Sequence, residues 1–583
     1  MKSKLLLIAL LAIIISTGVS AQKTWTGTTS TAWNTSTNWS PAGAPTAADN
    51  VTIPSAPSNQ PLLSGTTGIC NNLTINAGAS LTISGTSSNN ALLTASGNTI
   101  IYGSLSIGSA ITHTGTFTAF NITWATGSSM TGAINGGINV SGNWEFATGS
   151  AVSMGYSTVT FAGSNNSTIT SNSANSSFYG LVVNKTGGAI VYIGAASASA
   201  LTINGGINIG SGAVLNGQAN ITTILKGNLV NSGNINMGSG TLSFEKASGT
   251  QSIQININDF FNSININTGG TVTISTSYIM QLMGNMTIQA GVLDPGASTI
   301  GLFGNWTNNV GTAGFTEGMS TVIFNGGNYH QYCSSETFYT LEVHKTIGGA
   351  LRINGTTVTC AHYNWTAGAI DVLNGGTFTA NDIADDAIAG SYYCNSNCTI
   401  NLTNYGGNID LRGNLFIFGG NFNVYGGVNP SWWPYQGNAA ITMSGGVLNF
   451  ADQGILIRTD ATYTLTNNIT GGTIKSAGNF TNGRSDFNPA AGTVELYGSV
   501  NSNLTLNAGS LFSLTINKAT ANTTTLATNA TINGTLTVQS GTFLASNKIL
   551  FTNDNISVNN GGTFSLENGA ILRVKGTKAL TID

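Results

Sequence analysis

The stretch FYGLVVNKTGG occupies residues 178–188, and FYTLEVHKTIGG occupies residues 338–349. Two weaker copies begin at Phe261 and Leu511. The tail changes from copy to copy: KTGG becomes KTIGG at Lys345 and KATA at Lys518, and the lysine is lost at Asn267-Thr268. A catalytic Lys-Thr-Gly signature needs a Ser-x-x-Lys partner on a helix. The match found, Ser243 to Lys246, lies in the strand-like TLSFEK. A catalytic motif would not decay across copies in one chain, so the peptide reads as a strand and a corner. Leu181/Val183, Ile264/Ile266, Leu341/Val343 and Leu514/Ile516 alternate with polar residues and are expected to point inward. Lys-Thr-Gly-Gly is expected to turn the chain toward the next coil.

Two other landmarks travel with it. One is Gly-Asn plus an apolar residue, at Trp144, Leu229, Trp306 and Phe480; the other is a Thr-apolar strand ending at Phe161, Phe244, Phe324 and Leu496. Neighbouring landmarks within a set keep a spacing of about 14–20 residues, the repeat of a short unit. The landmark glycines are Gly142, Gly227, Gly304 and Gly478, and the wide last interval holds a degenerate cassette over about 354–477. Two nested periods follow: a coil of about 14–20 residues and a cassette of about 80–87, roughly four coils. Such self-similarity marks a stacked architecture whose single units cannot bury their apolar faces alone. A β-propeller blade is longer than this inner spacing. The expected fold is all-β: a right-handed parallel β-helix, or β-solenoid. At about 20 residues and about 4.8 Å per coil, it would stack about 28 coils.

Composition has a reason in this fold. Only 6% of residues are charged, against about 25% ordinarily. Stacked coils place like residues above one another, where like charges repel and Asn, Ser and Thr do not. The 17 Lys and Arg are spread thinly, and the net charge is −3, which argues against nucleic acid as a partner.

Residues 1–21 read as a secretory signal: Lys2 and Lys4, an apolar run, and small residues before Gln22. No second long apolar run follows, so no transmembrane segment is expected in the mature chain, which is expected to be secreted or at the cell surface. Residues 22–60 hold Trp25, Trp33 and Trp39 and read as a cap on the solenoid of residues 61–583. The chain stops within its strand pattern, as a piece of a longer protein would. The five cysteines are too few and too odd in number for a disulfide scaffold, though Cys394 and Cys398 are close enough in sequence to bridge.

The W-x-G…W…NW…P…DNVTI opening and the GN[WLF]…T[VL]xF…FYxLxVxKTGG cassette resemble very large secreted repeat proteins of Bacteroidota. That resemblance covers most of the mature chain. It implies type IX secretion and an adhesin-like role. More loosely the chain is similar to pectin-lyase-like and haemagglutinin-like β-helices. This is an analogy of fold, which does not fix function.

Candidate chemistry is sparse. Asp382, Asp385 and Asp386 form the densest acidic spot, a solvated turn or a weak Ca²⁺ site; no other cofactor is expected. In the alternative reading, a polysaccharide lyase or hydrolase, they would supply the carboxylates. His330, Cys333, His344, Cys360 and His362 would suit Zn²⁺ if they converged. Thr-x-Thr triplets, as in ice-binding solenoids, do not recur once per coil. Trp432, Trp433 and Tyr435 lie in NPSWWPYQG, a loop that breaks the repeat, and suit stacking on sugars. The expectation is a non-enzymatic stalk or adhesin-like surface contacting extracellular glycans or cell-surface components through aromatic loops.

Overall fold

The short alternating stretches of the repeated peptide form strands whose apolar residues face inward. In a computed structural model of the chain, Leu181, Val183, Ile266, Leu341, Val343, Leu514 and Ile516 are all fully buried, as is Ile264 apart from a trace. The structure describes residues 21–582 apart from 109–111, 133–135, 175–176, 195–199, 219, 276–277, 347, 385–389, 405–409, 427–430, 433–436 and 460–461. The signal segment, residues 1–20, thus lies outside the described residues. Among those described, parallel strands form a β-solenoid of about 22 turns, with two short 3₁₀ turns, Ser36–Asn38 and Thr312–Gly314, as the helical elements.

The chain divides into two compact units, Met1–Met283 with Gln289–Leu293, and Gly284–Ile288 with Asp294–Asp583. In the first, one inward ladder runs Leu93, Phe117, Ile138, Val159, Leu181, Ile207, Leu229, Ile253, Ile274. All nine side chains are buried, each stabilising the stack by about 1.5–3 kcal/mol. In the second, a ladder runs Ile474, Val494, Leu514, Leu536, Ile556, Leu580.

Coil length corrects the sequence expectation. Arg352 and Asp371 stand on adjacent rungs and are hydrogen-bonded across a separation of 19 in the chain; for Asn423 and Asn449 the separation is 26. Most coils are longer than the sequence spacing suggested, which is why there are about 22 turns and not the larger number expected. A coil carries three strands, as in Ile190–Gly194, Leu201–Ile203 and Ile207–Ile209.

The cassette is not a whole number of coils either. Trp144 sits below Ile169, Ile193 and Gly217. Leu229, its counterpart in the next cassette, lies two strands beyond Gly217 and belongs to the Leu181 ladder. The cassette therefore spans three and two-thirds coils, and equivalent landmarks stand on different faces. The other two landmarks are adjacent rungs. Val159/Phe161 stack on Leu181/Val183, Leu242/Phe244 on Ile264/Ile266, Val322/Phe324 on Leu341/Val343, and Val494/Leu496 on Leu514/Ile516.

The Gly-Asn landmark is a corner ladder. The side-chain oxygens of Asn143, Asn228, Asn305 and Asn479 accept the backbone N–H of Thr168, Ser252, Tyr332 and Asn503, one coil on. At the N-terminal end, Trp25, Trp33 and Trp39 are buried and pack edge to face, with ring centroids 4.9 and 4.8 Å apart. The Trp25 and Trp39 indole N–H groups donate to the carbonyls of Asn59 and Trp33.

Candidate functional site

The Lys-Thr-Gly lysines face the core. Lys185 continues the alternation of Leu181 and Val183 and is buried, so the corner begins only after it. Its Nζ donates to the carbonyls of Ala162 (2.8 Å) and Ser141 (2.9 Å), reaching down two coils. Lys518 does the same to Tyr497 (2.6 Å) and Ala477 (2.7 Å). Lys345 lies 4.7 Å from the Tyr329 ring centroid. Thr268 stands in the lysine's place in the second cassette and donates to the carbonyl of Lys246. Directly below the lysines lie Gly163, Gly326 and Gly498, all with positive φ. Burial pushes each lysine down to about 8. These are cross-coil staples. Ser243 and Lys246 do not meet: the serine donates to Glu245 and the lysine to the carbonyl of Thr250.

Two buried acids were missed in the sequence. Glu336 accepts from Trp306 Nε1 (3.0 Å), Asn308 Nδ2 (2.7 Å) and the backbone N–H of Thr337 (3.1 Å). Burial raises it to about 7 despite these donors. Asp259 occupies the same place in the preceding cassette, accepting from Asn231 and from the backbone of Ile235 and Asn256; burial raises it too. Both acids stand two residues before the opening phenylalanine and bind an asparagine two residues after the Gly-Asn apolar residue, a recurrence the aligned cassettes carry.

The Cys and His candidates do not converge. Cys333 and Cys360 are buried, and burial pushes both thiols far above their ordinary value. His344 pairs with Glu342 and His362 with Asp382, each at 3.0 Å. Among the described residues no three His, Cys, Asp or Glu side chains gather around a common point. Cys394 and Cys398 are buried free thiols, so the local bridge considered from the sequence is not formed.

Asp382 is exposed and stacks directly above His362. Asp385 and Asp386 lie outside the described residues, as do Trp433 and Tyr435. Trp432 lies in the short strand Ser431–Trp432, between Leu411 and Ile457 in the ladder.

A concavity lies next to the end of that loop, within the second unit. It is a groove of about 650 Å³ whose lining includes Gly437, the last residue of NPSWWPYQG, and Asn438. One wall is an outward column of successive rungs, Arg352, Asp371, Tyr393, Phe416. Arg352 Nε donates to Asp371 at 3.0 Å and Nη1 to the Tyr332 hydroxyl at 3.2 Å. Asn395 also donates to Asp371, which is 8% exposed. Tyr393 and Phe416 stack with centroids 4.4 Å apart and planes 3° from parallel. Burial, and then the negative charge of Asp371, hold the Tyr393 hydroxyl above its ordinary range, so it remains a donor. Gly349, Ala350, Gly368, Ala369 and Gly413, all buried, also line it. Each wall residue stands one coil from the next, and only the true coil length brings them into line.

A family profile described as a domain of unknown function (DUF8693) matches residues 24–106, which take in the tryptophan cluster and the first coils. No curated protein and no solved structure matches the chain.

Proposed function

We propose that this β-solenoid is a secreted, non-enzymatic, adhesin-like structural protein that contacts extracellular glycans through the groove beside the Trp432 loop. The observation that carries this reading is the wall of the groove. It sets two stacked aromatic rings beside polar side chains whose charges are already paired, a lining suited to hydroxyl-rich ligands. Asn and Thr ladders elsewhere give a rigid, nearly uncharged body, which suits a stalk presenting weak, repeated contacts. Signal-directed export and attachment at the cell surface, by the type IX route, belong to the same proposal. The full chain is to be applied to a glycan array and assayed for turnover on the glycans it retains. Retention without turnover, lost on Tyr393→Ala and Phe416→Ala, is expected. Retention of nothing, or bond cleavage, contradicts it.

The second reading, a polysaccharide-active enzyme, rests on the exposed Asp382–His362 pair. It requires turnover that disappears on Asp382→Asn while glycan retention persists.

A further inference from the structure

The groove runs across the strands, along the direction in which coils stack. From His330 through Ala350, Ala369 and Ser391 to Asn414, all of which line it, is four coil steps, or about 19 Å. An extended peptide gains affinity by adding to an open strand edge. Here the strands on both sides of each wall residue are already paired within the ladder, so no such edge faces the groove. Recognition must therefore come from side chains.

Charge narrows the ligand further. Asp371 is nearly buried, accepts from Arg352 and Asn395, and lies one rung from Arg352; the two charges cancel locally. Beyond them the lining carries no carboxylate, lysine or second arginine: it holds the His330 imidazole, the Ser391 and Tyr393 hydroxyls, and the amides of Asn414 and Asn438. An anionic ligand would have to break the Arg352–Asp371 pair to be neutralised, and a cationic one would meet Arg352. Hydroxyls and amides both donate and accept, which matches sugar hydroxyls in either role.

We infer that the ligand is a neutral, linear oligosaccharide segment lying parallel to the stacking direction and filling about four sugar subsites, at a rise per sugar near the coil spacing of about 4.8 Å. The inference rests on the glycan reading above and adds its charge, length and direction.

Two oligosaccharide series test it on the full chain by titration calorimetry: neutral β-linked gluco-oligosaccharides of two to eight units, and uronic acid oligosaccharides of the same lengths. Affinity for the neutral series should rise with length to about four or five units and then level off, with the uronic series about tenfold weaker or more. Phe416→Ala should lower neutral affinity about tenfold. Tyr393→Leu, which keeps apolar bulk at the same outward rung, should do the same if the alanine variant unfolds. Equal or tighter binding of the uronic series, or no dependence on length, overturns the inference and leaves the glycan reading standing. Binding of neither series overturns it too, and the glycan array then decides whether the broader reading fails with it.

Discussion

Replacing Glu336 by Gln isolates one buried acid whose titration falls in an accessible pH window. Glu336 is buried against Trp306 and Asn308 and titrates at about 7 in the folded chain, against an ordinary 4.5. Its folded pKa is raised, so its contribution to stability is complete below pH 4.5 and is lost as pH rises through 7. Between pH 5 and 7 the folded state holds a proton that the unfolded state has released. Integrating over those two pH units gives a loss of about 2 kcal/mol on going from pH 5 to pH 7. The staple lysines, lowered to about 8, remain charged in both states across most of this range and contribute little. Glutamine keeps one acceptor for Trp306 and Asn308 but cannot titrate. Hydrogen exchange of the backbone amides around residues 300–340, corrected for intrinsic rates, reads the local opening free energy at each pH. The wild type should lose about 2 kcal/mol more than Glu336→Gln between pH 5 and pH 7. An identical pH dependence in the two proteins would refute the argument.

Other outcomes follow from the same packing. Lys518→Met leaves the carbonyls of Tyr497 and Ala477 without their donor and should destabilise the second unit by about 2–4 kcal/mol in chemical denaturation; an unchanged midpoint excludes the staple. In Asn423→Leu, the chain of amides from Asn401 through Asn423 to Asn449 is cut at its centre, at a cost of about 1–3 kcal/mol, read as faster exchange at residues 399–404 and 439–450. Gly103→Ala places a Cβ within 2.2 Å of the Ala79 carbonyl and should separate those coils, seen as a lowered Tm. All five cysteines are buried free thiols, so a thiol reagent should label none in the native protein and all five in denaturant.

The fold was legible because alternation is a local signal. Leu181 and Val183 announce a strand with one buried face, and four copies of the peptide announce a stack. Alternation also carried information that chemical intuition overrode: Lys185 falls on the inward phase, and it is buried. Coil length was not legible, because it depends on how many residues each of three corners absorbs, and insertions at corners vary without breaking the strand pattern. That error hid the groove, since Arg352, Asp371, Tyr393 and Phe416 line up only in the observed register. It also obscured a face of the second unit on which Thr357/Thr359, Thr377/Thr379, Thr399/Asn401 and Asn421/Asn423 stack on successive rungs. Aromatic composition drew attention to Trp432, Trp433 and Tyr435, whereas the described aromatic pair beside that loop comes from two ordinary strands.

Register is the claim on which all of this depends, and cross-linking tests it most directly. Thr515 and Thr537 face outward on adjacent rungs, about 4.8 Å apart, within the reach of a disulfide. Thr515→Cys with Thr537→Cys should therefore cross-link on mild oxidation. Thr515→Cys with Thr535→Cys, the pair that the shorter coil expected from the sequence would bring together, should remain reduced. A cross-link in the second pair and none in the first would contradict the account.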